Sequence, residues 1–426
     1  MSVTERKPPA EQAEPALPIM QTANAPGAMM IDEQEKQAVL EVLESHALFR
    51  YYGAVRTGTP EQQARYEPHW VKDFEVEFAR RIGARHALAV CQGTAALHVA
   101  LIAAGVGPGD EVIVPGLTFL ASGCAVVMTN AIPIFVDSDD SLSISPPAIE
   151  AAITERTRAI MPVHIGGAPC DMDAIMAIAR KHDLLVIEDC AQSCGATYKG
   201  KCIGTFGDLG GFSLQLGKII TTGDGGVVTT NDDVLWERAC RAHDNGLFRE
   251  GGGTGIELFG SGFRMPELSG AVARVQLTKL DDIIARMKAV KARVRPVVEQ
   301  IDGLQPRRLH DPEGEVGSRL VFFAPTEELA DDFQAGLRRE NVRAGRMYTA
   351  PVQKRESYLR RQTHNAVGCP FTCPYYKGEV DYATMQTPMT DDLLARCVTI
   401  AFSPMWSPDI GDRIAEAIRK VAGELL

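Results

Sequence analysis

Between about residue 85 and residue 230, short apolar runs alternate with stretches whose apolar residues recur at three- and four-residue intervals. HALAV, EVIVP, IPIFVD, RAIMPVHI, LLVIED and GGFSL read as strands, and helices are expected from Gly93 and from Thr118. Strands separated by helices cannot pair as tight hairpins, so the pattern predicts an α/β unit with a parallel or mostly parallel sheet covered on both faces. Ligands of such sheets gather beyond the carboxyl ends of the strands. Cys91 to Thr94, Phe119, His164, Asp189 and Ser213 each follow or close a strand.

Beyond this region, FRMPELSGAVARVQLTKLDDIIARMKAVKARV keeps a helical period long enough to lead out of one domain and into another. A strand at RLVFFAP, a helix at TEELADDFQAGLRREN, a loop-rich stretch through GCPFTCPYYKG, a strand at VTIAFSP and an amphipathic helix at DRIAEAIRKVAGELL then predict a small α+β domain. The expected organisation is an N-terminal arm over 1–30, a large α/β domain with its connecting helix over 31–295, and the small C-terminal domain over 296–426. The arm is rich in Pro, Ala and Glu and offers little to bury, so it reads as flexible.

Composition removes several classes of function. The net charge is -11 and no run of lysines and arginines occurs, so neither nucleic acid nor an anionic membrane surface is an expected partner. No stretch approaches the ~20 apolar residues of a membrane span, nor do the first thirty residues hold the apolar core of a secretory signal, which leads to an expectation of a cytoplasmic protein. The ten cysteines are irregularly spaced, many inside apolar segments, and read as free thiols. His364, Cys369 and Cys373 in HNAVGCPFTC fall close together, but there is no Cys-x-x-Cys pair and no evident fourth ligand, so a proline-shaped loop and no metal are expected. GGGTG at 251–255 has neither a strand before it nor a helix after it, which sets aside a nucleotide-binding turn in favour of a mobile loop.

The chemistry begins with two segments. LLVIEDCAQS closes a strand on Asp189 and carries Gln192, and FSLQLGKIITTGDGG places Lys218 before a glycine-rich turn. A lysine amine can join an aldehyde cofactor and then carry a proton beside it, and glycines let a backbone pass close to a ligand. Most lysines are solvated surface charges, so the weight comes from the setting. A carboxylate at the end of a buried strand is costly without a partner. The protonated ring nitrogen of pyridoxal phosphate would be one, whereas a helix cap is the plain alternative. Gly93 and Thr94 open a helix directly after a strand, where free N–H groups and the helix dipole favour a phosphate. Ser213 can add a hydroxyl to the phosphate, Gln192 can reach the ring oxygen, and Phe119 can stack on the ring, although a lone phenylalanine is more often core packing.

QGTAAL, GDEVIVPGLTF, PVHIGGAPCDMD, VIEDCAQSCGA, FSLQLGKIITTGDGG and FRMPEL, in this order, resemble the DegT/StrS family of sugar aminotransferases, a branch of the fold-type I pyridoxal phosphate enzymes. The resemblance runs from about residue 35 to the C-terminus. It implies that Lys218 carries the cofactor, Asp189 pairs with the ring nitrogen and Gln192 meets the ring oxygen. Gly93, Thr94 and Ser213 would hold the phosphate, with Phe119 over the ring. It also implies a homodimer with shared active sites, and a ping-pong transfer from glutamate or glutamine to a ketone on a sugar or cyclitol. RYYG near residue 51 and GCPFTCPYYKG look most like the branch that aminates keto-cyclitols.

One departure stands out. GSGFRM places Gly262 where members of the family carry an asparagine that reaches the phosphate across the dimer, and Asn245 of HDNG is the nearby alternative. His164, Arg264, Tyr348 and His364 are the substrate candidates, since they lie on or near the loops expected to surround the site. Three other readings stay in view. Relatives that dehydrate keto-sugars replace the lysine with histidine, which Lys218 argues against. An aromatising aminohydroxybenzoate-type synthase would keep the lysine. A non-catalytic cofactor-binding regulator is disfavoured by the intact lysine and acid and by the lack of a DNA-binding segment.

Overall fold

The computed structural model describes residues 15–19, 25–52, 59–61, 67–249, 256–363 and 367–426. The loop at 251–255 and His364 lie outside the described residues. Seven strands form the large sheet: β1 (His86–Val90), β2 (Glu111–Pro115), β3 (Ile132–Val136), β4 (Thr157–Ile160), β5 (Leu185–Asp189), β6 (Leu209–Ser213) and β7 (Gly226–Thr230). Their order is β1-β7-β6-β5-β4-β2-β3. All pairings are parallel except those of β7, which runs against both β1 and β6. The strands are buried almost throughout, as befits a sheet covered on both faces. β7 is the strand that periodicity did not single out, because GVVTT follows the glycine-rich turn without a helix between. The segment from Leu214 to Gly225 folds straight back, with Leu214 N donating to Gly225 O and Leu216 N to Gly223 O. Lys218 is thereby carried on the tip between β6 and β7, at the carboxyl end of β6.

Helices α1 (Glu33–Ser45), α2 (Trp70–Ile82), α3 (Gly93–Ala103), α4 (Leu120–Met128), α5 (Pro146–Ala152), α6 (Met172–His182) and α7 (Asp233–His243) surround this sheet. α3 lies close over β6 because Gly211 has no side chain: a Cβ there would stand 2.7 Å from Leu97 Cδ2. α4 begins two residues later than expected, since Thr118 is occupied by a hydrogen bond of its hydroxyl with Ser122, 2.7 Å.

The long helix α8 (Glu267–Glu299) starts with a buried acid. The Glu267 carboxylate accepts from the backbone N–H groups of His69, Trp70 and Val71, the unpaired donors at the start of α2. Burial pushes the pKa of Glu267 up, and the three N–H groups oppose that shift. Glu267→Ala leaves these donors stranded and is expected to cost about 3 kcal/mol, since a buried unsatisfied group costs roughly 1–3 kcal/mol. Chemical denaturation of the two proteins checks this.

α8 runs on to the C-terminal part of the chain, where β8 (Gln305–Pro306), β9 (Arg319–Phe323), β10 (Ala344–Gly345) and β11 (Cys397–Ala401) pair antiparallel in the order β8-β9-β11-β10. Helices Glu327–Arg339 and Pro408–Leu425 pack with α8 on this sheet. One apolar cluster extends from Phe74, Phe78 and Phe212 to Phe322, Phe333 and Phe402, so the core of the large sheet continues into the small one. Among the described residues no helix is long and apolar enough to cross a membrane.

The flexible arm expected over 1–30 needs correction in its described part. Leu17 is fully buried in the main core, and its N–H donates to Glu340 O while Asn341 Nδ2 donates to its carbonyl. Pro26–Met29 forms a turn of helix, and Gly27 N donates to the carbonyl of Lys218. A Cβ on Gly27 would lie 2.8 Å from Ile220 Cα, a close approach that only glycine allows. Few apolar residues suffice to hold a segment when a groove and backbone partners receive them, and composition does not report grooves.

Candidate active site

A cavity of about 610 Å³ opens at the carboxyl ends of β1, β2, β5 and β6. Gly93, Thr94, Phe119, Asp189, Gln192, Ser213, Lys218 and Tyr348, all named from the sequence, line it. So do Ala25 and Pro26 from the N-terminal segment, Ser122, and Arg319 from the first position of β9.

Asp189 ends β5 almost wholly buried. Its Oδ2 accepts from Ser122 Oγ at 2.7 Å and its Oδ1 from Ala191 N at 3.0 Å. Burial pushes its pKa up, and these two hydrogen bonds and the Lys218 charge act in the opposite direction. Lys218 is half-buried, and burial drives its pKa below the usual lysine range; the Asp189 charge pulls it back up, while Arg319 pushes it further down. An acid and an amine with opposing environments thus share one cavity. Such shifted pairs are typical of catalytic sites, where burial and neighbours tune each group.

Gln192 is held at both ends of its amide: Oε1 accepts from Gly166 N at 3.0 Å and Nε2 donates to Tyr348 Oη at 2.9 Å. On the far side, Gln92 precedes α3 without a side-chain cap, leaving the first N–H groups of the helix open toward the cavity. Gly93 rests against Ser213 so closely that a Cβ would stand 2.6 Å from Ser213 Cβ and 2.7 Å from its Oγ. Phe119, just before α4, keeps an exposed ring over the cavity.

Two of the substrate candidates are not in the cavity. His164 is fully buried, with Nε2 3.2 Å from Glu188 Oε2 and Nδ1 accepting from Cys170 N. Glu188 also accepts from Gly204, Phe206 and Gly207 N–H groups, so this histidine closes a structural network on the face of β5 opposite Asp189. Arg264 turns away to Asp244, with Nη1 2.5 Å from Oδ1, and Arg249 takes the other carboxylate oxygen. The Arg264 guanidinium fills the space beside Gly262, where a Cβ would stand 3.2 Å from its Nη2. Asn245 sits in a left-handed turn at φ 55 and does not line the cavity either. Ser122, Arg319 and the Ala25–Pro26 edge were missed by sequence reasoning. Only Ser122 left a trace there, as a hydroxyl in the first turn of the helix after Phe119.

The model of the DegT/DnrJ/EryC1/StrS aminotransferase family matches residues 30–373. The chain belongs to this family. DegT/DnrJ/EryC1/StrS enzymes are pyridoxal phosphate-dependent aminotransferases, and this chain is one of them. Among its relatives, the spore coat polysaccharide biosynthesis protein SpsC of Bacillus subtilis is 33% identical over 402 residues, covering 92% of this chain and 95% of that protein. The L-glutamine:2-deoxy-scyllo-inosose aminotransferase of Streptomyces fradiae is 35% identical over 381 residues, or 82% and 85% of the two chains. A solved structure of 3-amino-5-hydroxybenzoic acid synthase superposes with a TM-score of 0.78 at 30% identity, covering 96% of this chain and all (100%) of the other. As a member of the family, the chain has the fold expected of it, a large mostly parallel sheet joined to a smaller α+β part.

Proposed function

We propose that this chain moves an amino group from glutamate or glutamine to a ketone on a sugar or cyclitol in two half-reactions, using pyridoxal phosphate held at Lys218. The observation that carries the reading is the convergence of Lys218, buried Asp189 and the open N-terminus of α3 on one cavity. Those residues fit the cofactor. Asp189 is a buried carboxylate facing the cavity with only two short donors of its own, the α3 N–H groups and Ser213 form an anion cradle that a Cβ at Gly93 would fill, and Phe119 offers a ring face. When bound, pyridoxal phosphate supplies an aldehyde that joins amines and a ring that accepts the electrons released at the carbon beside them.

The remaining steps belong to the protein. Lys218 Nζ, whose pKa burial lowers, would hold the group as its nucleophile and, as a base, move a proton at the donor carbon. Asp189, oriented by Ser122, is the carboxylate that would pair with the ring nitrogen of the bound group. Gln192, fixed by Gly166 and Tyr348, would meet the ring oxygen of the bound group. Ala25 and Pro26 close one edge and reduce the access of water.

The donor and the acceptor class rest on the names of relatives, which include a glutamine-dependent cyclitol aminotransferase and a GDP-perosamine synthase. The test is spectroscopic. The cofactor absorbance of the loaded protein should change on adding glutamate or glutamine alone and return when 2-deoxy-scyllo-inosose or a nucleotide-linked keto-sugar follows. No change with either amino acid rules the reading out. A second reading, an aromatising aminohydroxybenzoate-type synthase, has the fold match with the 3-amino-5-hydroxybenzoic acid synthase in its favour; an aromatic product after one turnover would establish it. We further propose a homodimer, as is usual for the family. The exposure of Phe259, at 93%, near the Gly262 loop supports an apolar contact there, and light scattering decides it.

A further inference from the structure

Behind Gln192 stands a charged side chain outside the cavity wall. Arg307, the residue after β8, is buried, and its guanidinium reaches from the small sheet to two loops of the large one: Nε donates to Ser141 O at 2.6 Å and Nη1 to Ile165 O at 2.9 Å. Among the described residues no carboxylate pairs with it, and its Nη2 has no hydrogen-bond partner. Glu315, whose charge it feels, is itself paired with Lys291, and burial pushes the Arg307 pKa down to about 10. Such a cation is costly to bury, and burying it here yields two fixed carbonyls.

The Ile165 carbonyl belongs to the same peptide group as the Gly166 N–H, and that peptide is trans, so the two point in opposite directions. Arg307 takes the oxygen on one side, while on the other Gly166 N donates to Gln192 Oε1 at 3.0 Å. An N–H can only donate, so the Gln192 amide has to present its oxygen there and its NH₂ group to Tyr348 Oη, 2.9 Å away. One hydrogen of that NH₂ goes to Tyr348, and the other is left for the cavity.

We propose that Arg307 is a positioning residue for the cofactor: by gripping the Ile165–Gly166 peptide it sets the direction of the Gln192 amide, which then offers a hydrogen, and not an oxygen, to the ring oxygen of the bound group. This rests on the role given to Gln192 above. Arg307 lines no part of the cavity and acts at two removes, through the peptide and then the amide. Gly166 makes the grip possible. It stands at φ 61 in the 165–167 turn, where a Cβ would lie 3.3 Å from Arg307 Nη1 and 2.9 Å from Met347 Cε.

A double-mutant cycle on the full chain tests this by calorimetry. Pyridoxamine phosphate is the probe, because it carries the ring oxygen yet forms no bond to Lys218. Arg307→Lys, which keeps the charge but loses the fork that spans two carbonyls, should bind it about 3- to 10-fold more weakly than the wild type, the loss of one hydrogen bond. Gln192→Ala should bind about as weakly, and adding Arg307→Lys to it should change the affinity by less than about twofold. A residue that only braces the fold would weaken binding equally in both backgrounds; that result, or no loss in either single variant, overturns the proposal. If Arg307→Lys does not fold, Gly166→Ala crowds the same peptide and leaves the arginine in place. It should show the same loss and the same dependence on Gln192, and equal losses in both backgrounds overturn the proposal here too. A wild type that binds no pyridoxamine phosphate ends both this proposal and the amino-transfer reading. The expected cycle, together with no absorbance change on adding glutamate or glutamine, ends only the latter.

Discussion

Replacing Lys218 by alanine should lower amino transfer by at least about 10⁴-fold, because the proposed function gives this one amine both the covalent attachment and the proton transfer. Stability should hardly change. The Lys218 side chain has no hydrogen bond or ion pair among the described residues, and the hairpin tip it stands on is fixed by backbone bonds from Leu214, Leu216 and Gly27. Thermal melting of the cofactor-free variant should therefore match the wild type. A large loss of melting temperature would give Lys218 a structural role instead.

Asp189→Asn is expected to lower the rate by about 10³-fold, equivalent to ~4 kcal/mol at the transition state. Asparagine fills the same volume and can still accept from Ser122 or Ala191, so the change removes the charge and leaves the shape. The sign of a second effect can be worked out. Burial lowers the pKa of Lys218 and the Asp189 charge raises it. Without that charge the Lys218 pKa falls further, so at a given pH more of the amine is neutral. In cofactor-free protein, the reaction of Lys218 with an amine-directed reagent should then be faster in Asp189→Asn than in the wild type. Its acid limb should lie at lower pH. A limb that does not move would mean that the two groups are electrostatically independent.

How much of this could be read from the chain depends on the range over which each signal acts. Gly93, Asp189, Ser213 and Lys218 were legible because strand ends and a glycine turn are local features, and a parallel sheet brings such ends to one edge. His164 also ends an extended segment, yet it faces the other way. Alternate residues of β5 point to opposite faces, and His164 shares the side of Glu188, not that of Asp189. No spacing along the sequence distinguishes these two cases. Arg319 was hidden for a different reason: it opens RLVFF, whose other residues are buried core, and only the antiparallel pairing of Arg319 with Ala401 brings the small sheet against the cavity. Strand β7 was missed because it follows β6 through the glycine-rich turn with no helix between them and its other partner, β1, is far away in sequence, and the N-terminal segment because its anchors, Glu340 and Lys218, are distant too.

That N-terminal segment has a practical consequence. Residues that look dispensable by composition supply Ala25 and Pro26 to the cavity wall, while Leu17 is seated on the helix that ends near Glu340. Trimming the chain to start at Ile31 would remove a side of the cavity together with its anchor. A protein shortened in that way is altered at the candidate site and should be assayed as such.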